Sequence, residues 1–376
     1  MRSEASLPPL PAPVLPPLRQ EPREDIILLD GGTEAYPRML AAIASATRRV
    51  HLEVYTFERE GVGARFVDAL VAAARRGVAV KVVVDGWGSI KASSHLTQTL
   101  RAAGAKVRVY NPLTSLFTGR SWRNHRKILL VDDAVAFLGG INIGDEYAAN
   151  GDVPGWADLA LELRGDICRQ LGEKLHAGAS ALTSGPVSLF LSGLGGGHRL
   201  RKRYLSAIEG AKHEVVLAHA YFLPDAGFVR ALKRAARRGV KVSLLLAGRS
   251  DVVFARAATM RLYRELLLAG VHIHEWTAST LHAKAAVVDG KTLLVGSFNL
   301  DPLSLVNLET LVEVAEPRIA AQVGLWLDKH VATSRHVVLE ECGRSPLQQW
   351  LLDVVGLAVA RFAERFASFI GRRRKR

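Results

Sequence analysis

The feature that most narrows what this chain can become is a pair of matched motifs. His125-Arg126-Lys127 is followed by Asp132 and then by Gly139-Gly140-Ile141-Asn142; His282-Ala283-Lys284 is followed by Asp289 and then by Gly296-Ser297-Phe298-Asn299. Each His, Lys, Asp and Asn of the second set lies 157 residues after its counterpart. One H-x-K-x-x-x-x-D in a chain of 376 residues is weak evidence, since ordinary residue usage produces it at roughly the few-percent level. Two in register, each with a glycine and an asparagine at the same offsets, point to a duplicated architecture.

The repetition extends outside the motifs. Phe66 to Leu70 leads into Ala73-Ala74-Arg75-Arg76-Gly77-Val78 and an apolar run from Val80 to Val84. Phe228 to Leu232 leads into Ala235-Ala236-Arg237-Arg238-Gly239-Val240 and a run from Lys241 to Leu246. Each pattern predicts a helix closed by a glycine, with arginines in its last turn, feeding a buried strand. Such alternation predicts an α/β fold of two similar lobes, each a mostly buried mixed sheet flanked by helices, related by a pseudo-twofold axis. The lobes are expected over 26–185 and 186–345, the first opening with a strand at Ile26–Leu29 and a turn at Asp30-Gly31-Gly32. Before it, seven prolines in residues 1–25 remove backbone donors and predict a disordered or polyproline-type arm.

Each motif reads as a β-hairpin. Asp289-Gly290 is a two-residue turn signal between 285–288 and 291–295, and Asp132-Asp133 takes the same place in the first copy. That register sets Lys284 opposite Val295, His282 opposite Ser297 and His125 opposite Gly140. His and Lys then share a face at the open end with the Gly-x-Asn segments, while Asp132 and Asp289 fall at the far end as stabilisers of the turn. A lone histidine beside a strand is usually structural; a matched pair, each with a lysine two residues on, reverses that reading. Two ammonium groups cannot share a dry site without an anion between them, because each unpaired charge costs several kcal/mol. A phosphate between Lys127 and Lys284 removes the difficulty, with Asn142 and Asn299 donating to its oxygens. One imidazole can attack phosphorus while the other protonates the leaving oxygen, a chemistry that calls for no metal and no other cofactor.

The formal net charge of +14 implies an anionic partner: nucleic acid, an acidic membrane surface or a phosphorylated small molecule. Cys168 and Cys342 are too few for a disulfide framework or a zinc site, so a reducing compartment is expected. No apolar stretch reaches the ~18 residues of a membrane span, and the proline-laden start lacks the apolar core of a secretion signal, which predicts a protein in the cytoplasm or on its membrane.

With these residues in view, the sequence resembles the phospholipase D superfamily, and within it the bacterial cardiolipin synthases that lack transmembrane helices. The resemblance runs from about Ile26 to Leu339 and includes Leu52-Glu53-Val54-Tyr55-Thr56-Phe57, Asp85-Gly86-Trp87-Gly88-Ser89, Ala220-Tyr221-Phe222-Leu223-Pro224 and Asn299-Leu300-Asp301-Pro302-Leu303-Ser304. It implies one active site at the interface of the lobes, a covalent phosphohistidine and no required metal. It also implies a carboxylate to orient each histidine, which falls on Asp158 in Trp156-Ala157-Asp158 and on Glu309 in Asn307-Leu308-Glu309. By the same analogy His125 is the nucleophile and His282 the acid and then base, although the pseudo-symmetry alone supports the reverse equally. Gly140 stands where the second motif has Ser297, which takes a hydroxyl from one half of the site.

The implied reaction moves a phosphatidyl group from phosphatidylglycerol, or phosphatidylethanolamine, to a second phosphatidylglycerol, giving cardiolipin. A hydrolase using water as acceptor, or a nuclease or other phosphodiesterase, would use the same residues. A non-catalytic lipid-binding scaffold would keep the fold alone, against which stand two intact motifs. The flanking segments and the apolar C-terminal stripe argue against a nucleic-acid partner. In that stripe, Leu351, Val355, Val359, Phe362, Phe366 and Phe369 recur at helical spacing before the basic run Arg372 to Arg376. Residues 346–376 thus predict an amphipathic helix and basic tail, suited either to an anionic membrane surface or to packing on the body. Arg120, Arg123 and Arg126 are placed to draw lipid headgroups to the first motif. The expected location is peripheral, on the cytoplasmic face of the bacterial cell membrane.

Overall fold

A computed structural model describes residues 25–90, 93–112, 114, 122–175, 180–248 and 262–342. The proline-rich arm before them, Arg120 and the C-terminal stripe with its basic run lie outside the described residues. In the first lobe the strands are β1 (Ile26–Asp30), β2 (Arg49–Val54), β3 (Ala79–Asp85), β4 (Lys106–Tyr110), β5 (Ile128–Val131), β6 (Val135–Gly139) and β7 (Leu159–Arg164). They form one sheet in the order β1-β7-β6-β5-β2-β3-β4, with β2-β3-β4 parallel and the rest antiparallel. The second lobe has β8 (Ser180–Ser184), β9 (Val187–Leu191), β10 (Glu214–His219), β11 (Lys241–Ala247), β12 (His272–Trp276), β13 (Lys284–Val288), β14 (Thr292–Gly296), β15 (Thr310–Val314) and β16 (Arg335–His336). Its order, β16-β12-β11-β10-β13-β14-β15-β9-β8, repeats the first sheet with one strand added at each edge. The fold is therefore the expected α/β pair of lobes.

Strand alternation explains how the lobes join. Ile128, Leu130, Leu138, Leu159 and Leu161 face across to Ala285, Val287, Leu293, Val295 and Val312 in one core shared by both sheets. The intervening residues, such as Leu129, Val131 and Phe137, turn outward onto the helices of their own lobe. Both faces of each sheet are covered, which is why these strands read as continuous apolar runs. The repeated helices span Val62–Arg75 and Ala226–Arg237. Each ends in the same motif: Gly77 and Gly239 at φ 88°, with Val78 N–H bonded to Ala73 O and Val240 N–H to Ala235 O.

Two local expectations need correction. Asp30-Gly31-Gly32 is not a turn, because the helix Gly31–Ser45 begins directly after β1. The motif hairpins are also shifted by one residue from the two-residue reading. Ala285 rather than Lys284 faces Val295, and Ile128 faces Leu138, so each connection holds three residues. His125 is thereby moved out of register with Gly140, and His282 with Ser297. Asp132 and Asp133, like Asp289 and Gly290, take positive φ and make a tight turn closed by Ala134 N–H to Val131 O and Lys291 N–H to Val288 O, but Ala134 and Lys291 stay out of the ladder as a bulge and pairing resumes one residue later.

Candidate active site

The lead-in to each H-x-K crosses to the other lobe. His125 N–H donates to Leu308 O at 2.9 Å and Leu308 N–H to Arg123 O at 2.9 Å; opposite, His282 N–H donates to Ala157 O at 2.8 Å and Ala157 N–H to Thr280 O at 2.9 Å. These crossings set the residue after Leu308 beside His125 and the residue after Ala157 beside His282. Nδ1 of His125 lies 3.0 Å from Glu309 Oε2, and Nδ1 of His282 lies 2.6 Å from Asp158 Oδ2. Each lobe thus supplies the carboxylate for the other lobe's histidine. Glu309 and Asp158 are fully buried, and the histidine side chains are only 12% and 7% exposed. A hydrogen bond from Nδ1–H to a carboxylate leaves Nε2 with its lone pair.

The lysines are buried beside them. Lys127 Nζ donates to His125 O at 2.7 Å and sits 5.4 Å from the centre of the Tyr55 ring. Lys284 Nζ bonds to His282 O and lies 3.0 Å from His282 Nδ1. Burial pulls Lys127 down to about 7, with Glu309 opposing and Lys284 reinforcing the shift. Burial and then the Lys284 ammonium push His282 down to about 4, against the pull of Asp158. His125 is lowered by burial as well, with Glu309 acting against it. Burial raises Asp158, but His282 and then Lys284 outweigh that and keep it below the ordinary carboxylate range. Near neutral pH both imidazoles are therefore neutral.

Asn142 is fixed by its Oδ1 accepting Thr56 N–H at 3.1 Å and its Nδ2 donating to Tyr147 OH at 2.7 Å. Asn299 is placed by its backbone N–H donating to Ser304 Oγ at 3.1 Å, while its buried Oδ1 has no hydrogen-bond partner among the described residues. Ser304 Oγ in turn donates to Glu309 Oε1 at 2.9 Å, and Ser297 Oγ donates to Glu309 Oε2 at 2.5 Å. Gly140 has a steric reason to lack a side chain: a Cβ there would fall 2.2 Å from Asp158 Oδ1. The missing hydroxyl and the shorter acid go together, since Asp158 fills the space that Ser297 occupies next to Glu309.

Asp132 and Asp289 lie at the closed ends of the hairpins. Asp132 accepts the N–H groups of Thr47, Arg48 and Arg49 at 2.7–2.8 Å, and Asp289 those of Lys212, His213 and Glu214 at 2.8–3.2 Å. Each ties its hairpin to the start of the neighbouring central strand.

Several neighbours had been given no role by sequence reasoning. Tyr55 sets a ring edge against His125 with centroids 5.0 Å apart, while Tyr147 and Trp156 lie 5.3 and 5.6 Å from the His282 ring. Burial raises the Tyr55 hydroxyl to about 12, so it stays a neutral donor. Tyr55 and Ser304 occur in segments that carried the resemblance, but no spacing rule linked them to a histidine. Arg126 is a correction: it is buried, with Nη2 donating to Ser192 O at 2.6 Å and Nη1 3.8 Å from Glu53, so it faces the lobe interface rather than lipid. It alternates with His125 and Lys127 along an extended chain and so must point the other way.

The chain belongs to the cardiolipin synthase family with phospholipase D-like domains: a family model described as "Cardiolipin synthase, PLD-like domain" matches residues 39–151 and 204–331. It is 35% identical over 311 residues to cardiolipin synthase B of Escherichia coli (strain K12), covering 76% of this chain and 75% of that protein. Cardiolipin synthase 1 of Staphylococcus epidermidis (strain ATCC 12228 / FDA PCI 1200) is 29% identical over 353 residues, covering 86% and 71%. The fold is also similar to the crystal structure of phosphatidylserine synthase from Haemophilus influenzae Rd KW20, at TM-score 0.68 and 14% identity over 92% of this chain and 94% of that one. Among the described residues no helix is long and apolar enough to cross a membrane.

Proposed function

We propose that this protein is a phosphatidyltransferase that makes cardiolipin from two molecules of phosphatidylglycerol, acting peripherally on the cytoplasmic face of the membrane. The observation that carries the reading is the crossed pairing, His125 with Glu309 and His282 with Asp158, beside two buried lysines. Family membership supports the choice of phospholipid as substrate over a nucleic acid.

The diester phosphate enters between Lys127 and Lys284, whose charges it pairs, and takes further hydrogen bonds from the Asn142 and Asn299 amides. Its negative charge raises the proton affinity of His282, which burial and the Lys284 ammonium otherwise hold low. Nε2 of His125 attacks phosphorus; the bond to the headgroup glycerol oxygen breaks, and that oxygen takes a proton from His282. Glycerol leaves. The hydroxyl of a second phosphatidylglycerol then gives its proton to His282 and attacks phosphorus, breaking the phosphorus–nitrogen bond and releasing cardiolipin with His125 restored. Phosphatidylethanolamine as donor would release ethanolamine by the same steps. Glu309 and Asp158 hold the rings and stabilise each imidazolium as it forms.

Incubation with labelled phosphatidylglycerol, quench in denaturant at mildly alkaline pH, which spares a phosphorus–nitrogen bond, and peptide mass analysis tests this reading. Expected are cardiolipin and glycerol as products, label on the His125 peptide, slow release from His282→Ala and no adduct on His125→Ala. Phosphatidic acid in place of cardiolipin would make the enzyme a hydrolase, and label on His282 alone would reverse the two roles.

A further inference from the structure

Four large apolar side chains stand exposed around the His125 side of the site: Trp87 at 54%, Ile90 at 49%, Leu194 at 45% and Leu303 at 56%. They belong to three separate loops, yet hydrogen bonds tie those loops into one rim. Ser89, between Trp87 and Ile90, donates its hydroxyl to Tyr55 O at 2.9 Å, and Tyr55 is the residue whose ring edges His125. The Arg123 guanidinium lies 5.5 Å from the Trp87 ring centre, and Arg123 N–H donates to Asn307 Oδ1 at 2.8 Å. Asn307 N–H donates to Leu303 O, and Gly195 N–H, next to Leu194, to Val306 O. Exposed Arg199 follows in the first turn of the helix Gly197–Gly210.

Singly, exposed apolar residues carry no message, but four on loops tied together by hydrogen bonds beside a functional site mark a contact surface. We propose that this rim is where the protein docks on a phospholipid bilayer, its four apolar side chains entering the interfacial layer of an anionic leaflet. The inference rests on the proposed phosphatidyl transfer, because a site for a lipid headgroup must open toward the plane in which headgroups lie. An indole held over a guanidinium suits that layer, with an apolar body and a polar N–H. Arg199 and the net charge of +14 complement anionic headgroups. Docking through this face sets the phosphate of a bilayer lipid next to His125 without lifting its acyl chains into water.

The test uses the full chain, vesicles of phosphatidylglycerol and phosphatidylcholine, and the double variant Trp87→Ser, Leu303→Ser. Cosedimentation should show vesicle partitioning reduced about tenfold or more, from the loss of two large apolar contacts. Turnover of a short-chain phosphatidylglycerol below its micelle concentration should stay within about twofold. In a Trp350→Phe background, which removes the tryptophan of the C-terminal stripe, lipids brominated near the carbonyl should quench the tryptophan fluorescence, with most of the quenching gone when Trp87→Phe is added. Unchanged partitioning, or quenching that persists in Trp87→Phe, overturns the proposal. So does a double variant that binds vesicles normally but sediments as a smaller species, which would assign the face to a second copy of the chain. Failure of the proposed reaction itself would show separately, as a parent protein that binds vesicles but makes no cardiolipin.

Discussion

Asp289 shares a motif with His282 and Lys284 but stands at the closed end of its hairpin, so Asp289→Ala separates a mechanical role from a chemical one. Its carboxylate accepts three backbone N–H groups, from Lys212, His213 and Glu214, at 2.8–3.2 Å. A hydrogen bond to a buried charged group contributes about 1.5–3 kcal/mol, but this carboxylate is partly exposed and water replaces some of the loss, leaving about 1 kcal/mol for each bond. Asp289 also sits at φ 52°, a conformation that costs alanine about 1 kcal/mol more than aspartate or asparagine. The total is roughly 3–4 kcal/mol, which at about 2–4 °C per kcal/mol lowers Tm by roughly 6–16 °C. Asp289→Asn keeps the backbone preference and one acceptor oxygen, so about 1–2 kcal/mol is expected. Partial burial pushes this carboxyl up, but the backbone N–H groups of Glu214, His213 and Lys212 outweigh it and hold it below its ordinary value. The linked stability is therefore complete above the ordinary carboxylate range and is lost as pH falls through the lower folded value; the Asn variant should lack that acid-side dependence. Calorimetry across pH 2–7 with transferase rates on the folded protein makes the comparison. A rate loss above about 100-fold at unchanged Tm would refute the mechanical role.

Three further outcomes follow from the site. Asp158→Asn and Glu309→Gln should each lower kcat by about 10²–10⁴-fold with little change in Tm, since each loses the partner that orients one imidazole; steady-state kinetics and calorimetry check both. Gly140→Ala should displace Asp158, because its Cβ would lie 2.2 Å from Oδ1, and so should mimic Asp158→Asn in rate, whereas Ser297→Gly should be milder because it removes one hydrogen bond to Glu309 and creates no clash. Sulfate affinity measured by calorimetry should weaken as pH rises through about 7, approaching tenfold per pH unit, as Lys127 loses the proton that anion binding requires; Lys127→Gln should flatten the profile.

What was legible in the sequence was whatever repeats or has a local period. The 157-residue offset announced two lobes, the Ala-Ala-Arg-Arg-Gly-Val pairs announced two identically capped helices, and alternation along the motifs put each histidine and lysine on one face. These follow from 3.6- and two-residue periodicities and from glycine's access to positive φ, all short-range. The hairpin register was read wrongly by one residue because loop length depends on the dihedrals of Asp132, Asp133, Asp289 and Gly290, and residue identity admits more than one loop. The inward turn of Arg126 was missed because it needed the facing strand of the other lobe, where Ser192 accepts its hydrogen bond. The carboxylates show the same division most clearly. Asp158 and Glu309 are 151 residues apart, out of step with the motif offset, and each serves the histidine of the opposite lobe. That exchange is decided by the burial of one sheet against the other, which brings Leu308 to Asn124 and Ala157 to Leu281, contacts between residues more than 120 positions apart that no local pattern encodes.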